Sequence, residues 1–150
     1  MTQIECGFKD AVGRFDPGKL SLVGPTILVN LGFDQNWKPG GAAPSAGAVN
    51  LPALIDTGAQ YSHIDSALAA KLGLPIIDKC RVSGSSGPHE VDVYLAQMHV
   101  PGLNFTQYGA FAGAELSKGM AEHLLLIGRT FLTQFKPIYD GVAGRVILAR

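Results

Sequence analysis

Residues 54–59 read Leu54-Ile55-Asp56-Thr57-Gly58-Ala59, and the rest of the chain is best read outward from them. The stretch 49–55 is apolar enough for a buried strand, and it delivers a carboxylate straight into a tight turn. A lone ionised carboxylate is expensive to bury, so a chain that aims Asp56 out of a core strand must compensate it or use it. Thr57 adds a hydroxyl, and Gly58 lets backbone pass where a Cβ would clash. An Asp-Ser/Thr-Gly triplet alone would recur by chance in roughly one chain in fifteen of this length, so its setting must carry the specificity.

That setting includes a second segment about seventy residues on, Leu125-Leu126-Ile127-Gly128-Arg129 followed by Thr130-Phe131-Leu132. Large apolar residues, then a glycine, then a short helix would let this strand slip beneath the Asp56 turn, with Gly128 providing clearance.

The surrounding chain reads as all-β. Its 19 glycines and 9 prolines are spread along the whole length, and short apolar runs separated by turn residues dominate. Strands are expected over 26–33, 49–55, 76–83, 89–98, 105–111 and 124–127. Within 89–98, Val91, Val93 and Leu95 alternate with Asp92, Tyr94 and Ala96. Residues 34–47 form a Gly/Pro/Ala-rich loop insertion without periodicity. The clearest helix is 65–72, with Asp65 as N-cap and Gly73 and Pro75 beyond its end. Residues 130–135 predict a further helical turn or two before Pro137, and 138–148 a terminal hairpin. Gly84-Ser85-Ser86-Gly87 is a flexible hairpin tip between two strands.

These pieces, in this order, resemble the retropepsin-like family of aspartic proteases, from residue 26 to residue 148. The resemblance implies a single domain over 1–150 with an all-β, closed barrel-like acid protease fold and one or two short helices, assembled as a two-fold homodimer. It implies Asp56, Thr57 and Gly58 as the catalytic triplet, and Ala59 and Gln60 as substrate-binding residues. Gly84, Ser85, Ser86 and Gly87 would form a substrate-covering flap, and Ile127, Gly128 and Arg129 the support beneath the site. Two departures stand out. Gln60 is neutral where the retroviral members carry an aspartate that pairs with the Arg129 equivalent, so Arg129 needs another acceptor, the Gln60 amide or Asp65. The flap tip also lacks the aromatic of pepsin-like flaps. Asp-Thr-Gly-Ala-Gln does resemble the ubiquitin-receptor branch of the family.

Aspartic proteolysis needs two carboxylates sharing one proton, because close like charges cannot both ionise comfortably. One then takes a proton from a water while the other donates to the peptide carbonyl, and no covalent intermediate forms. This chain has one such triplet, since Asp140-Gly141 lacks the hydroxyl residue and reads as a turn. A second copy of Asp56 must complete the site, as a two-fold axis allows. The resemblance also implies that segments 2–8 and 145–149 hold that dimer through shared strands. The expected activity is therefore an aspartic endopeptidase acting on a peptide or protein. The alternative is a catalytically weak dimerisation or peptide-binding module, or a domain cut from a longer polypeptide.

Composition narrows the remaining classes. Twelve basic residues balance twelve acidic ones, and no basic stretch interleaves with aromatics, so no nucleic-acid partner is expected. No run approaches a membrane span, and the charged first twenty residues contain no apolar signal core, so a cytoplasmic chain without membrane partners is expected. Cys6 and Cys80 match no metal spacing and read as buried free thiols more readily than as a disulfide. His63, His89, His99 and His123 are too scattered for a zinc site, and neither metal nor cofactor is expected. His63, near the motif, reads as a hydrogen-bonded structural residue. Trp37 reads as a cover for its own loop, or as a substrate-side anchor.

Overall fold

The apolar runs settle into ten strands and three short helices in a computed structural model that describes residues 2–84, 87–119 and 122–150. In order these are β1 (Gln3–Glu5), α1 (Pro17–Val23), β2 (Thr26–Gly32), β3 (Ala48–Ile55), β4 (His63–Asp65), α2 (Ser66–Lys71) and β5 (Ile76–Gly84). There follow β6 (Gly87–Val100), a 3-10 turn at Pro101–Leu103, β7 (Phe105–Ala114), β8 (Leu125–Ile127), α3 (Arg129–Leu132), β9 (Lys136–Asp140) and β10 (Arg145–Ala149).

Six strands close into a barrel in the order β2-β3-β8-β4-β7-β6, with β6 returning to β2 through Asn30 opposite His99 and Leu31 opposite Met98. Inward-facing Val29, Leu31, Ala53, Ile64, Met98, Phe111, Leu125 and Ile127 are buried and form the core. Closure leaves few unpaired edges, which is how a small all-β chain protects its ladder groups. β5 hangs on β6 as a long hairpin arm, paired from Ile76–Tyr94 out to Gly84–Gly87. Along β6 the alternation holds, but Tyr94, Ala96 and Met98 fill the core while Val91, Val93 and Leu95 are only half-buried. Val91, Val93 and Leu95 lie on the strand's other face, away from the core.

A second sheet, β1-β10-β9, is formed by the two ends of the one chain. The expected sharing of terminal strands between copies is thereby restricted: β10 has both edges taken by its own chain, so only the outer edges of β1 and β9 are open. Asp140 closes the β9–β10 turn by accepting from the Ala143 amide at 3.0 Å, the structural role read from the sequence.

Helix α2 follows its expectation, with the Asp65 carboxylate accepting from the Leu68 amide at 3.1 Å. Helix α1 is an addition to the one or two helices expected. Asp16 caps it from the Lys19 amide at 3.0 Å and Pro17 opens it, yet Leu20 is its one buried residue, so it carries no readable apolar stripe.

Loop 33–47 is docked rather than loose. Gln97, 3% exposed on β6, accepts from the Asp34 amide at 2.7 Å and donates to the Asp34 carbonyl at 2.9 Å. The Asp34 carboxylate in turn accepts from the amides of Ser45 and Asn36, which hold its pKa below the ordinary carboxylate value. Trp37 sets its ring edge against Tyr108 with centroids 5.9 Å apart. Cys6 and Cys80 are both free; Cys6 is buried but Cys80 is only half-buried on β5.

Candidate active site

Asp56 follows directly on β3, and its amide donates to the Ile127 carbonyl at 2.9 Å, continuing the parallel ladder of β3 and β8 by one more bond. Ile55 and Ile127 point into the core, so strand alternation turns the neighbouring Asp56 side chain to the outer face. Asp56 is a half-buried residue whose carboxylate accepts from the Gly58 amide at 2.9 Å, while the Ala59 amide closes the turn on the Asp56 carbonyl at 3.2 Å. A Cβ on Gly58 would stand 3.1 Å from that same carboxylate oxygen, which gives the glycine a reason beyond turn geometry. Thr57 and Gly58 are exposed.

The turn is clamped from below by the segment seventy residues later. The Arg129 amide donates to the Ala59 carbonyl at 2.9 Å and the Thr130 amide to the Gln60 carbonyl at 3.0 Å. The Gly128 amide donates to the hydroxyl of buried Ser62 at 3.1 Å. The clearance expected of Gly128 is against main chain: a Cβ there would lie 2.5 Å from the carbonyl carbon and oxygen of Tyr61. Ser62 is a support residue that the sequence reading missed, because a serine two residues past an Asp-Thr-Gly-Ala-Gln turn carries no signature of its own.

Arg129 finds neither of its expected acceptors. Its guanidinium Nη1 donates to the Thr57 carbonyl at 2.8 Å, and both Asp65 oxygens are occupied by the amides of Leu68 and Ser117. A main-chain carbonyl inside the Asp56 turn thus takes the place of a charged partner. Gln60 is exposed, with its carbonyl taken by Thr130.

Gly84 and Gly87 pair at the end of the β5–β6 arm; Ser85 and Ser86, expected at the flap tip, lie outside the described residues. Lys79 on the arm stands 3.3 Å from Asp92 and 3.9 Å from Glu90, solvated contacts that add little stability.

Trp37 is no substrate anchor for Asp56. Thr26 pairs with Leu54 at one end of β2–β3 and Leu31 with Ala48 at the other, so loop 33–47 is about 20 Å away along the strands. A cavity of about 450 Å³ lies beside that loop, lined by Trp37, His99, Phe105 and Arg150 among others, and no Asp or Glu side chain lines it. Acid chemistry has no group to use there.

His63 differs from its expectation. Its Nδ1 is buried and has no hydrogen-bond partner among the described residues. His99 and His123 do have partners, with His99 Nδ1 2.8 Å from the Thr106 hydroxyl and His123 Nε2 2.7 Å from that of Thr26. Burial pushes the His123 pKa below the ordinary histidine value, with Glu122 opposing weakly. The described residues contain no cluster of His, Cys, Asp or Glu able to hold a metal, and no helix long and apolar enough to cross a membrane.

A family model described as aspartyl protease matches residues 45–131, which takes in the Asp56 turn, the β5–β6 arm and the strand that supports the site. The chain belongs to the aspartyl protease family. Within that family its fold is that of the retropepsin-like aspartic proteases. A retropepsin-like aspartic protease from Rickettsia conorii is 16% identical and superposes with a TM-score of 0.52, over 97% of this chain and 89% of that one. The EIAV protease complexed with the inhibitor HBY-793 is 18% identical with a TM-score of 0.49, covering 73% of this chain and 86% of its own. The simian foamy virus (mac) protease is 14% identical with a TM-score of 0.48, covering 75% and 99% respectively. No curated protein sequence matches the chain.

Proposed function

We propose that the protein is an aspartic endopeptidase whose active site is completed when two copies meet across a two-fold axis at Asp56. The observation that carries this reading is the state of Asp56 in one chain. Its carboxylate is held by its own Gly58 amide, on an outer face beside exposed Thr57 and Gly58. No hydrogen bond joins it to another acidic side chain among the described residues. A symmetry mate would supply the close acidic partner that one chain lacks, and two carboxylates at that range share one proton. One Asp56 would accept a proton from the attacking water and the other would donate to the peptide carbonyl. Ala59, Gln60 and the arm around Gly84, Ser85, Ser86 and Gly87 would hold the substrate as an extended strand. Gly128 and Arg129 would keep the two turns rigid, and Ile127 would anchor them in the core.

The test pairs sedimentation with cleavage. The native chain should be dimeric at working concentration and cut an unstructured peptide library; Asp56→Asn should remain dimeric and lose at least a thousandfold in rate, on the scale of lost general acid–base chemistry. Equal cleavage by both chains, or a native chain that cuts while strictly monomeric, would refute the mechanism.

A further inference from the structure

We propose that His63 is a specificity-determining residue that selects peptides carrying a side-chain carbonyl or carboxylate oxygen within about three residues of the bond cleaved. The inference rests on the peptidase reading of the Asp56 face and adds to it the kind of side chain that face accepts.

Register places His63 in a row of residues across the barrel. Leu54 on β3 is opposite Leu126 on β8, Leu126 is opposite His63 on β4, His63 is opposite Ala112 on β7, and Ala112 is opposite Val93 on β6. Paired residues share a face, so these five side chains lie together on the outer side. Their inward neighbours Ile55, Ile127, Ile64, Phe111 and Tyr94 are buried, whereas Leu54, Leu126, His63 and Val93 are half-exposed. Asp56 lies two residues beyond Leu54, on that same outer face. The row is therefore an apolar floor beside the reacting carboxylate, with one polar member.

His63 is two strands from β3 and two residues along from Asp56, or about 12 Å between α-carbons at ordinary sheet spacings. An extended peptide advances about 3.3 Å per residue, so a side chain no more than about three residues from the cut can reach it.

The ring's chemistry follows from its buried nitrogen. Nδ1 has no acceptor, so a proton there would be an unpaired buried donor; the lower-cost arrangement leaves Nδ1 bare and puts the proton on Nε2. The half-exposed ring then offers one N–H donor to an otherwise apolar floor. A Glu or Gln side chain can accept from it. A Met or Leu of similar size would leave that donor without a partner on desolvation.

The experiment uses paired peptides that differ only by Gln or Met at each position within three residues of the cut. It compares the native chain with His63→Val and His63→Gln, the first removing the donor on a strand-compatible residue and the second keeping an N–H. Native protein should cleave one Gln peptide about three- to tenfold better than its Met partner, the size of one hydrogen bond. His63→Val should lose or invert that ratio, and His63→Gln should largely keep it. The same ratios, measured by calorimetric binding to Asp56→Asn, separate this inference from the peptidase reading. A Gln preference in binding without native cleavage would refute the peptidase and leave His63 standing. Equal Gln-to-Met ratios in native and His63→Val proteins, in cleavage or in binding, would overturn the inference.

Discussion

Replacing Gly128 by alanine should unfold this protein more readily than any surface change, and the cost can be worked from its surroundings. The added Cβ would meet the carbonyl carbon and oxygen of Tyr61 at 2.5 Å and the Gln60 carbonyl oxygen at 3.0 Å, all main-chain atoms with no rotamer to yield. Restoring ordinary contact requires the two segments to part by about 1 Å, and backbone overpacking of this kind costs about 1–3 kcal/mol. Parting them stretches three of the hydrogen bonds that join the segments, those at 3.1, 2.9 and 3.0 Å made by the amides of Gly128, Arg129 and Thr130. Each contributes about 1 kcal/mol net. The stiffer unfolded chain of the alanine variant returns about 0.4–1 kcal/mol. The balance is a loss of about 3–5 kcal/mol, a large share of the ~5–15 kcal/mol a domain has. For a chain of this length it corresponds to a fall of roughly 10 °C in Tm. Urea and thermal unfolding followed by circular dichroism at one fixed protein concentration would measure it, since any self-association makes stability depend on concentration. Gly109→Ala is the control: nothing lies within 4 Å of its would-be Cβ, and it should shift stability by no more than about 0.5 kcal/mol. If Gly128→Ala melted within 2 °C of the parent, or moved no further than Gly109→Ala, the clamp beneath the Asp56 turn would be wrong.

Three further outcomes are expected. Gln97→Met keeps the volume but strips both bonds from Asp34, so loop 33–47 should become cleavable by an added protease and stability should drop by about 1–3 kcal/mol; unchanged resistance would count against a docked loop. His123 has a lowered pKa in the folded state, so the unfolded chain takes up the proton first and stability should decline as pH falls below about 6.5, with no contribution above it. His123→Gln should flatten that part of the stability–pH curve, and an unaltered curve would remove His123 as its source. Arg129→Ala frees the exposed Thr57 carbonyl, so peptide cleavage should fall several-fold while urea stability changes by less than about 1.5 kcal/mol; unaltered turnover would mean the turn holds its shape unaided.

The family and the core of the architecture were legible because they rest on local chemistry. The Asp56 turn needs a short apolar strand before it and a glycine within it, and α2 needs a capping carboxylate and a glycine stop. All are neighbours in sequence. Even the clearance at Gly128 could be anticipated, since an apolar strand ending in glycine implies a close approach to something. Helix α1 had its own local signals in Asp16 and Pro17, but one buried residue in seven leaves no periodicity to support them.

What had to be seen in three dimensions is what distant segments do to one another. Arg129 could be given side-chain acceptors on paper, but the fold brings its guanidinium to a carbonyl seventy-two residues away. Trp37 and the Asp56 turn flank the same strand pair, and its direction sets them at opposite ends. The pairing of β1 with β10 decides which strand edges remain open to a second copy. His63 looked like one more scattered histidine until the pairing of β4 with β7 and β8 set it into the row beside Asp56. Residue type and spacing within about ten positions dictate turns, caps and strands. Which side chain ends with a partner depends on sheet register, and register is settled by packing the whole barrel at once.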